Sequence, residues 1–307
     1  PKTVALAASK TYDGSTSLGG AVSIDSGIIG QALLYSGAVA SDAHVASGGK
    51  FIAAITLADG AGGVASNYAL PLLTGASAGN AVAINAAPLT AALTNSALSK
   101  TYDGSSAAPV FVPTWSFTGL VGGDSTATLN YSSAAYDSIH VNSASHVSVA
   151  GLSLAAITGS LGSQAGDYLL TASSAAVAAS ISTRPLSAAL VNSAYSKPYD
   201  GSTTVGAFSP AWNIAGLVAG DSASLSYTGA AYDAAHVASA SKISVSGVAL
   251  GAVSGVAGSL ASDYALPASS FDVAATISAR ALTATLSNAG VSKVYDGSTS
   301  SSLLPTY

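Results

Sequence analysis

The chain has no cysteine, no methionine and no glutamate among its 307 residues, and Lys and Arg together number only nine. Without cysteine, neither a disulfide framework nor a thiolate metal site can hold the fold, and thiol redox chemistry is excluded. Nine cations against 14 acids, all of them Asp, leave no basic patch for nucleic-acid phosphates. Charged residues make up 7% and aromatics 7%, yet hydrophobic residues reach 49% and mean hydropathy is +0.50. Such a balance suggests a membrane protein, but a spanning helix needs about 18 to 20 consecutive apolar residues and no such run occurs. The score comes from Ala and Val diluted by Ser, Gly and Thr, as in ISVSGVALGAVSGVAGSLAS at 243–262. No membrane span is therefore expected. With no Met at position 1 and no visible signal peptide, the sequence reads as a mature or internal portion of a longer product.

What is present is a repeat, the first thing to seek in a chain longer than one ordinary domain. The octet SKTYDGST recurs as SKTYDGSS, SKPYDGST and SKVYDGST, with its tyrosines at Tyr12, Tyr102, Tyr199 and Tyr295. Tyr35, Tyr131 and Tyr227 are 96 residues apart each time, as are His44, His140 and His236. Tyr68, Tyr168 and Tyr264 follow at intervals of 100 and 96. These marks divide the chain into a divergent first unit at 1–86, a second at 87–183, a third at 184–279, and the opening of a fourth at 280–307. The first unit lacks equivalents of Trp115 and Trp212 and has SIDS where the second has GGDS.

Within a unit the pattern is that of strands. Ile243 and Val245 alternate with polar neighbours, as do Val273, Ala275 and Ile277, and also Leu282, Ala284 and Leu286. About seven such segments per unit, bounded by Gly, Asp, Asn or Pro, predict an all-β chain. The expected fold is a rod of tandem antiparallel, sandwich-like modules of about 96 residues, immunoglobulin-like or β-grasp-like. No short coil repeat of the β-helix type occurs inside a unit. Ile84 to Leu89, Ile181 to Leu186 and Ile277 to Leu282 are five-residue steps joining one unit's last strand to the next unit's first. Pro88 and Pro185 stiffen two of these junctions, none of which is a Gly/Ser linker.

K-x-Y-D-G-[ST]-[ST], then G-L-V-x-G-D, D-Y-x-L and a terminal A-x-I-x-x-R-x-L-[TS], resembles the YDG-type repeat of filamentous-haemagglutinin-like bacterial surface exoproteins. The resemblance implies a secreted, surface-displayed adhesin or matrix protein of a bacterium with an outer membrane, its repeats acting as a stalk. At one loop the chain departs from the family pattern, with His140-Val141 and His236-Val237 where a small Asn-Val-Gly element is expected. The family brings no catalytic residue.

Several constellations are candidate sites. In the turn motif, Tyr12-Asp13-Gly14, Tyr102-Asp103-Gly104, Tyr199-Asp200-Gly201 and Tyr295-Asp296-Gly297, Asp caps local backbone, Gly accepts positive φ, and Tyr anchors the turn; the expected role is structural. An isopeptide bond from Lys10, Lys100, Lys197 or Lys293 would need a buried Asp or Asn partner and an acid, Asp124 or Asp221, as proton shuttle. Asp42/His44, Asp137/His140 and Asp233/His236 can be written as parts of a Ser-His-Asp site, but no nucleophile motif accompanies them. Calcium would need clustered acids, and Asp200, Asp221, Asp233, Asp263 and Asp272 are scattered singly. Trp115 and Trp212 read as core plugs rather than glycan platforms. The expectation is therefore a non-enzymatic stalk without metal or cofactor, whose partners are other copies of itself or cell-surface and matrix components, with glycan as a further partner. A filament subunit joined through 280–307 by strand complementation is the alternative, and a carbohydrate-binding array the second alternative.

Overall fold

The computed structural model describes residues 1–307 apart from Ala97, Val256 and Leu303. It divides into two compact units, Pro1–Ser182 and Thr183–Tyr307. Strands dominate both, and the helical turns among the described residues are three single 3-10 turns, Ala65–Asn67, Ala165–Asp167 and Ala261–Asp263. The all-β, tandem-module reading is borne out.

The alternation seen in the sequence becomes burial. In Lys242–Ser246 the side chains of Ile243 and Val245 are fully buried, and Val273, Ala275 and Ile277 of Ser270–Ser278 face them across an antiparallel pairing that sets Ile243 opposite Val273. Val147 and Val149 do the same in the second module, where His146–Ala150 pairs with Ser174–Ser182. Each of these sheets has four strands in the same order. In the third module the order is Gly229–Tyr232, Lys242–Ser246, Ser270–Ser278, Tyr195–Pro198; in the second it is Ser133–Tyr136, His146–Ala150, Ser174–Ser182, Leu98–Thr101.

The pairing is mixed rather than wholly antiparallel. Every module's opening segment lies parallel to its closing ones: Ala5–Thr11 to Asn80–Asn85, Leu98–Thr101 to Ser174–Ser182, and Tyr195–Pro198 to Ser270–Ser278. Since opening and closing strands point the same way, the chain enters a module at one end and leaves at the other. The consequence is that a last strand can run straight into the next first strand, as Asn80–Asn85 runs into Ala87–Leu93.

In the unit formed by residues 1–182 a single buried cluster crosses that junction, taking in Leu6, Leu18, Ile52 and Ile84 of the first module with Leu89, Ala127 and Tyr168 of the second. The third module has its own core around Tyr232, Ile243, Val245, Val273 and Ile277. The strand expected over Leu282, Ala284 and Leu286 does not form, and Leu282 is 93% exposed. Its counterpart in the third module, Ser187–Leu190, pairs with Trp212–Ala215, and among the described residues of 280–307 no strand forms. A strand is stabilised by its neighbours, so the alternating pattern alone is insufficient.

Candidate functional site

The repeated octet builds a lysine-clamped turn. In the first copy Lys10 Nζ donates to Asp13 Oδ1 at 2.6 Å and to the carbonyls of Ser15 at 2.7 Å and Ser17 at 2.8 Å, while Ser15 N–H donates to Asp13 Oδ1 at 2.9 Å. The same carboxylate thus takes the ammonium and closes an Asx turn. Lys100, Lys197 and Lys293 repeat the geometry with Asp103, Asp200 and Asp296 at 2.7, 2.8 and 2.9 Å. The glycine that follows has φ of +78° in the first three copies and +74° in the fourth, a conformation that a side chain would strain. For Asp13 and Asp103, burial raises the pKa, but the lysine ammonium and the serine amide outweigh it and hold both carboxyls below their ordinary value. Asp200 is lowered to about 2, first by Lys197 and then by the Ser202 amide. The lysine also lies over a ring in two modules, Lys100 over Tyr136 and Lys197 over Tyr232, both at 5.2 Å.

This arrangement replaces the isopeptide constellation. Each lysine ammonium is taken up by four oxygens of its own turn, and Asp124 is engaged elsewhere, accepting from the Tyr168 hydroxyl at 2.5 Å. Asp221 accepts likewise from Tyr264.

The turn tyrosine leads to the module junction. Tyr12 N–H donates to Asn85 O at 2.8 Å, sealing the turn to the module's last strand. Its ring stacks on His44, with centroids 6.2 Å apart and planes at 21°. The second module's 3-10 elbow covers this pair. Ser163 Oγ lies 2.6 Å from the Tyr12 hydroxyl, and Tyr168 meets the Tyr12 ring edge-on with centroids 5.7 Å apart. Asp167 is fully buried there: Oδ2 is 2.7 Å from His44 Nδ1 and accepts from Gln164 N–H at 2.8 Å, while Oδ1 accepts from Val45 N–H at 2.7 Å. Burial opposes its ionisation, and the Gln164 and Val45 amides with His44 hold its pKa below the usual carboxylate range. A buried charge so fully bonded is stable; leaving any one donor without it is costly.

Tyr168 anchors the elbow from the other side. Its hydroxyl donates to Asp124 and accepts from Val121 N–H at 2.9 Å. Desolvation first, and then the hydrogen bond to Asp124, push the phenol up to about 12. Tyr264 is held in the same way by Asp221 and by Val218 N–H at 3.1 Å. The remaining oxygens, Asp124 Oδ1 and Asp221 Oδ1, are buried without a partner. They face the α-carbons of Gly159 and Gly255, where any side chain would collide with them.

The other expected residues are dispersed. Asp42 accepts from the His44 backbone N–H at 2.7 Å rather than orienting its ring. Asp137 and Asp233 close loops, accepting from the Ser145 and Ser241 hydroxyls at 2.6 and 2.7 Å. Ser145, His146 and Asp137 do touch one another, but the serine hydroxyl is spent on the carboxylate, and Lys242 stands in place of His146 in the third module. The loop needs no histidine to close. Among the described residues no group of three His, Cys, Asp or Glu side chains is placed to hold a metal ion, and no helix is long and apolar enough to cross a membrane. Trp115 and Trp212 are half-buried, Trp212 edge-on to Phe271 at 5.2 Å, so neither is a full core plug. Tyr35 is bonded inside the first module to Val22 N–H and Leu18 O, whereas Tyr131 and Tyr227 are exposed despite the shared spacing.

Two recurrent devices have roles that the sequence motifs did not give. One is the elbow, whose Ser163 and Asp167 recur as Ser259 and Asp263 but stand as Gly63 and Asn67 in the first module. The other is an asparagine clasp: Asn95 Nδ2 donates to Val112 O while its Oδ1 accepts from Thr114 N–H, and Asn192 with Asn288 repeat it. Asn95, Asn192 and Asn288 recur near the 96-residue period, which was the available signal.

Parallel opening and closing strands, a clamped turn in every copy and an elbow docked across a junction define an all-β tandem-repeat protein. The YDG domain pattern matches residues 85–176 and 182–271, more than half of the chain, and the chain belongs to the YDG domain family. No curated protein and no solved structure matches it.

Proposed function

We propose that this chain is a non-enzymatic stalk segment of a secreted bacterial surface adhesin or extracellular fibre. The observation that carries the reading is the junction in residues 1–182, where a continuous apolar cluster and the buried Asp167 fasten one module to the next. A linker would let modules pivot; a junction with its own core and charge-assisted bonds resists bending. Repetition of such a joint holds a distal element away from the cell. The polar pairing also makes the joint directional, since one module gives the histidine and the next the carboxylate.

A second reading, a self-assembling extracellular filament subunit, draws on residues 280–307. They carry the clamped turn and the asparagine clasp but, among the described residues, no strand, and Leu282 and Tyr295 are each 93% exposed. Strands supplied by another subunit would cover them. Electron microscopy of the purified chain tests both. Isolated straight rods support the stalk, regular filaments lost on deletion of 280–307 support assembly, and collapsed particles of varied shape would sink both.

A further inference from the structure

The geometry points to the Tyr199–His236 face of the third module as a docking socket for the Ser-x-x-x-Asp-Tyr elbow of a further YDG module. Tyr199 stacks on His236 with centroids 6.3 Å apart and planes at 19°, matching Tyr12 on His44 at 6.2 Å and 21°. The socket is thus built in the same form as the filled one. What differs is its cover. Tyr199 is half-buried where Tyr12 is buried, and beside it lies a cavity of about 580 Å³ lined by Tyr199, Asp200, His236, Val237, Arg280 and Leu282.

Three groups that are satisfied at the first socket are open at this one. The Tyr12 hydroxyl, His44 Nδ1 and Val45 N–H are met by Ser163 and by the two oxygens of Asp167. Among the described residues nothing bonds the Tyr199 hydroxyl, the His236 ring or the Val237 amide. A ligand with one hydroxyl and one carboxylate at the elbow's spacing satisfies all three.

The register of the occupant follows from the strand after the socket. In the second module the elbow is laid down by parallel pairing, with Tyr168 opposite Ala87 and Leu170 opposite Leu89. In the third, Tyr264 lies opposite Arg184. Arg280 and Leu282 occupy the corresponding positions of the fourth opening and line the cavity. An incoming elbow therefore sets its tyrosine opposite Arg280 and its aspartate against His236 and Val237. The first module of a second copy does not qualify: its elbow has Gly63 and Asn67, and a side chain at Gly63 would run into the backbone carbonyl of Ala32. The inference rests on the stalk reading, in which modules follow one another along the chain.

The test extends the full chain by a second copy of residues 213–279 placed after Tyr307, which stands where Trp212 stands in PAW. Hydrogen exchange at the Val237 amide should slow about tenfold or more relative to the 1–307 chain, and the His236 ring resonances should move. Replacing the added elbow's aspartate by Asn should reverse both. A folded fourth module, shown by protection of its own strands, with Val237 exchanging as before, overturns the proposal while leaving the stalk reading intact. Asp167→Asn in the unextended chain gives an independent arm. Val45 should lose protection about tenfold; an unchanged Val45 removes the pairing that the socket repeats, and so overturns the proposal even if the extension fails to fold.

Discussion

The clamped turn is built four times, and its surroundings differ each time. Its lysine–aspartate distance runs only from 2.6 to 2.9 Å across the four copies. Its tyrosine, by contrast, is 3% exposed at Tyr12, fully buried at Tyr102 and 93% exposed at Tyr295. The turn is therefore a local object, closed by residues within seven positions of its lysine. Burial of the tyrosine is a property of whatever packs on it, which for Tyr12 is the second module's elbow.

The sharpest way to break this contrast is to cut the packing rather than the turn. Leu89 and Leu282 hold the same place in the repeat, the first fully buried and the second 93% exposed. Leu89→Ala should destabilise the unit at 1–182 by about 2–5 kcal/mol in urea unfolding, and Leu282→Ala by less than about 0.5 kcal/mol. Equal effects would mean that the junction core contributes nothing.

Much of this contrast was legible beforehand and some was not. The alternation at Ile243/Val245 and Val273/Ile277 announced strands because both faces of the pattern lie within a few residues. The five-residue steps at the junctions announced direct strand-to-strand passage for the same reason. Parallel pairing of Ala5–Thr11 with Asn80–Asn85, or of His44 with Asp167, joins residues far apart in sequence, and no local pattern encodes it. The lysine's place as the clamp of the turn was not legible, because its acceptors include two backbone carbonyls, which carry no sequence signature.

A smaller effect is expected at Tyr168. Tyr168→Phe removes the hydroxyl that donates to Asp124, whose other oxygen already lacks a partner, and should cost about 1–3 kcal/mol, while Tyr295→Phe should cost nothing measurable. The phenol also gives a pH signature. Its pKa is raised to about 12 in the folded chain against about 10 unfolded, so the folded state retains its proton longer. Its contribution is complete below pH 10 and declines as pH rises toward 12. Alkaline unfolding curves of the wild-type chain and Tyr168→Phe should therefore converge over that window; parallel curves would show that the hydrogen bond carries no linkage.

The smallest effect belongs to the turn itself. Asp200 is lowered to about 2 by Lys197 and the Ser202 amide, so the folded state holds this carboxylate ionised well below the ordinary range. A depressed carboxyl contributes above its unfolded pKa near 3.9 and loses that contribution as pH falls toward 2. Asp200→Asn should flatten this part of the acid stability curve of the unit at 183–307, with only a slight change at pH 7, because the carboxylate is exposed and solvent screens the ion pair. The exposed Asp296 makes the same bonds in the fourth copy with no module packed on it, and its carbon-13 NMR titration should likewise run below the normal carboxyl value. A normal titration at Asp296 beside a depressed one at Asp200 would make the clamp a product of the folded module, and would overturn the distinction between a local turn and a tertiary tyrosine.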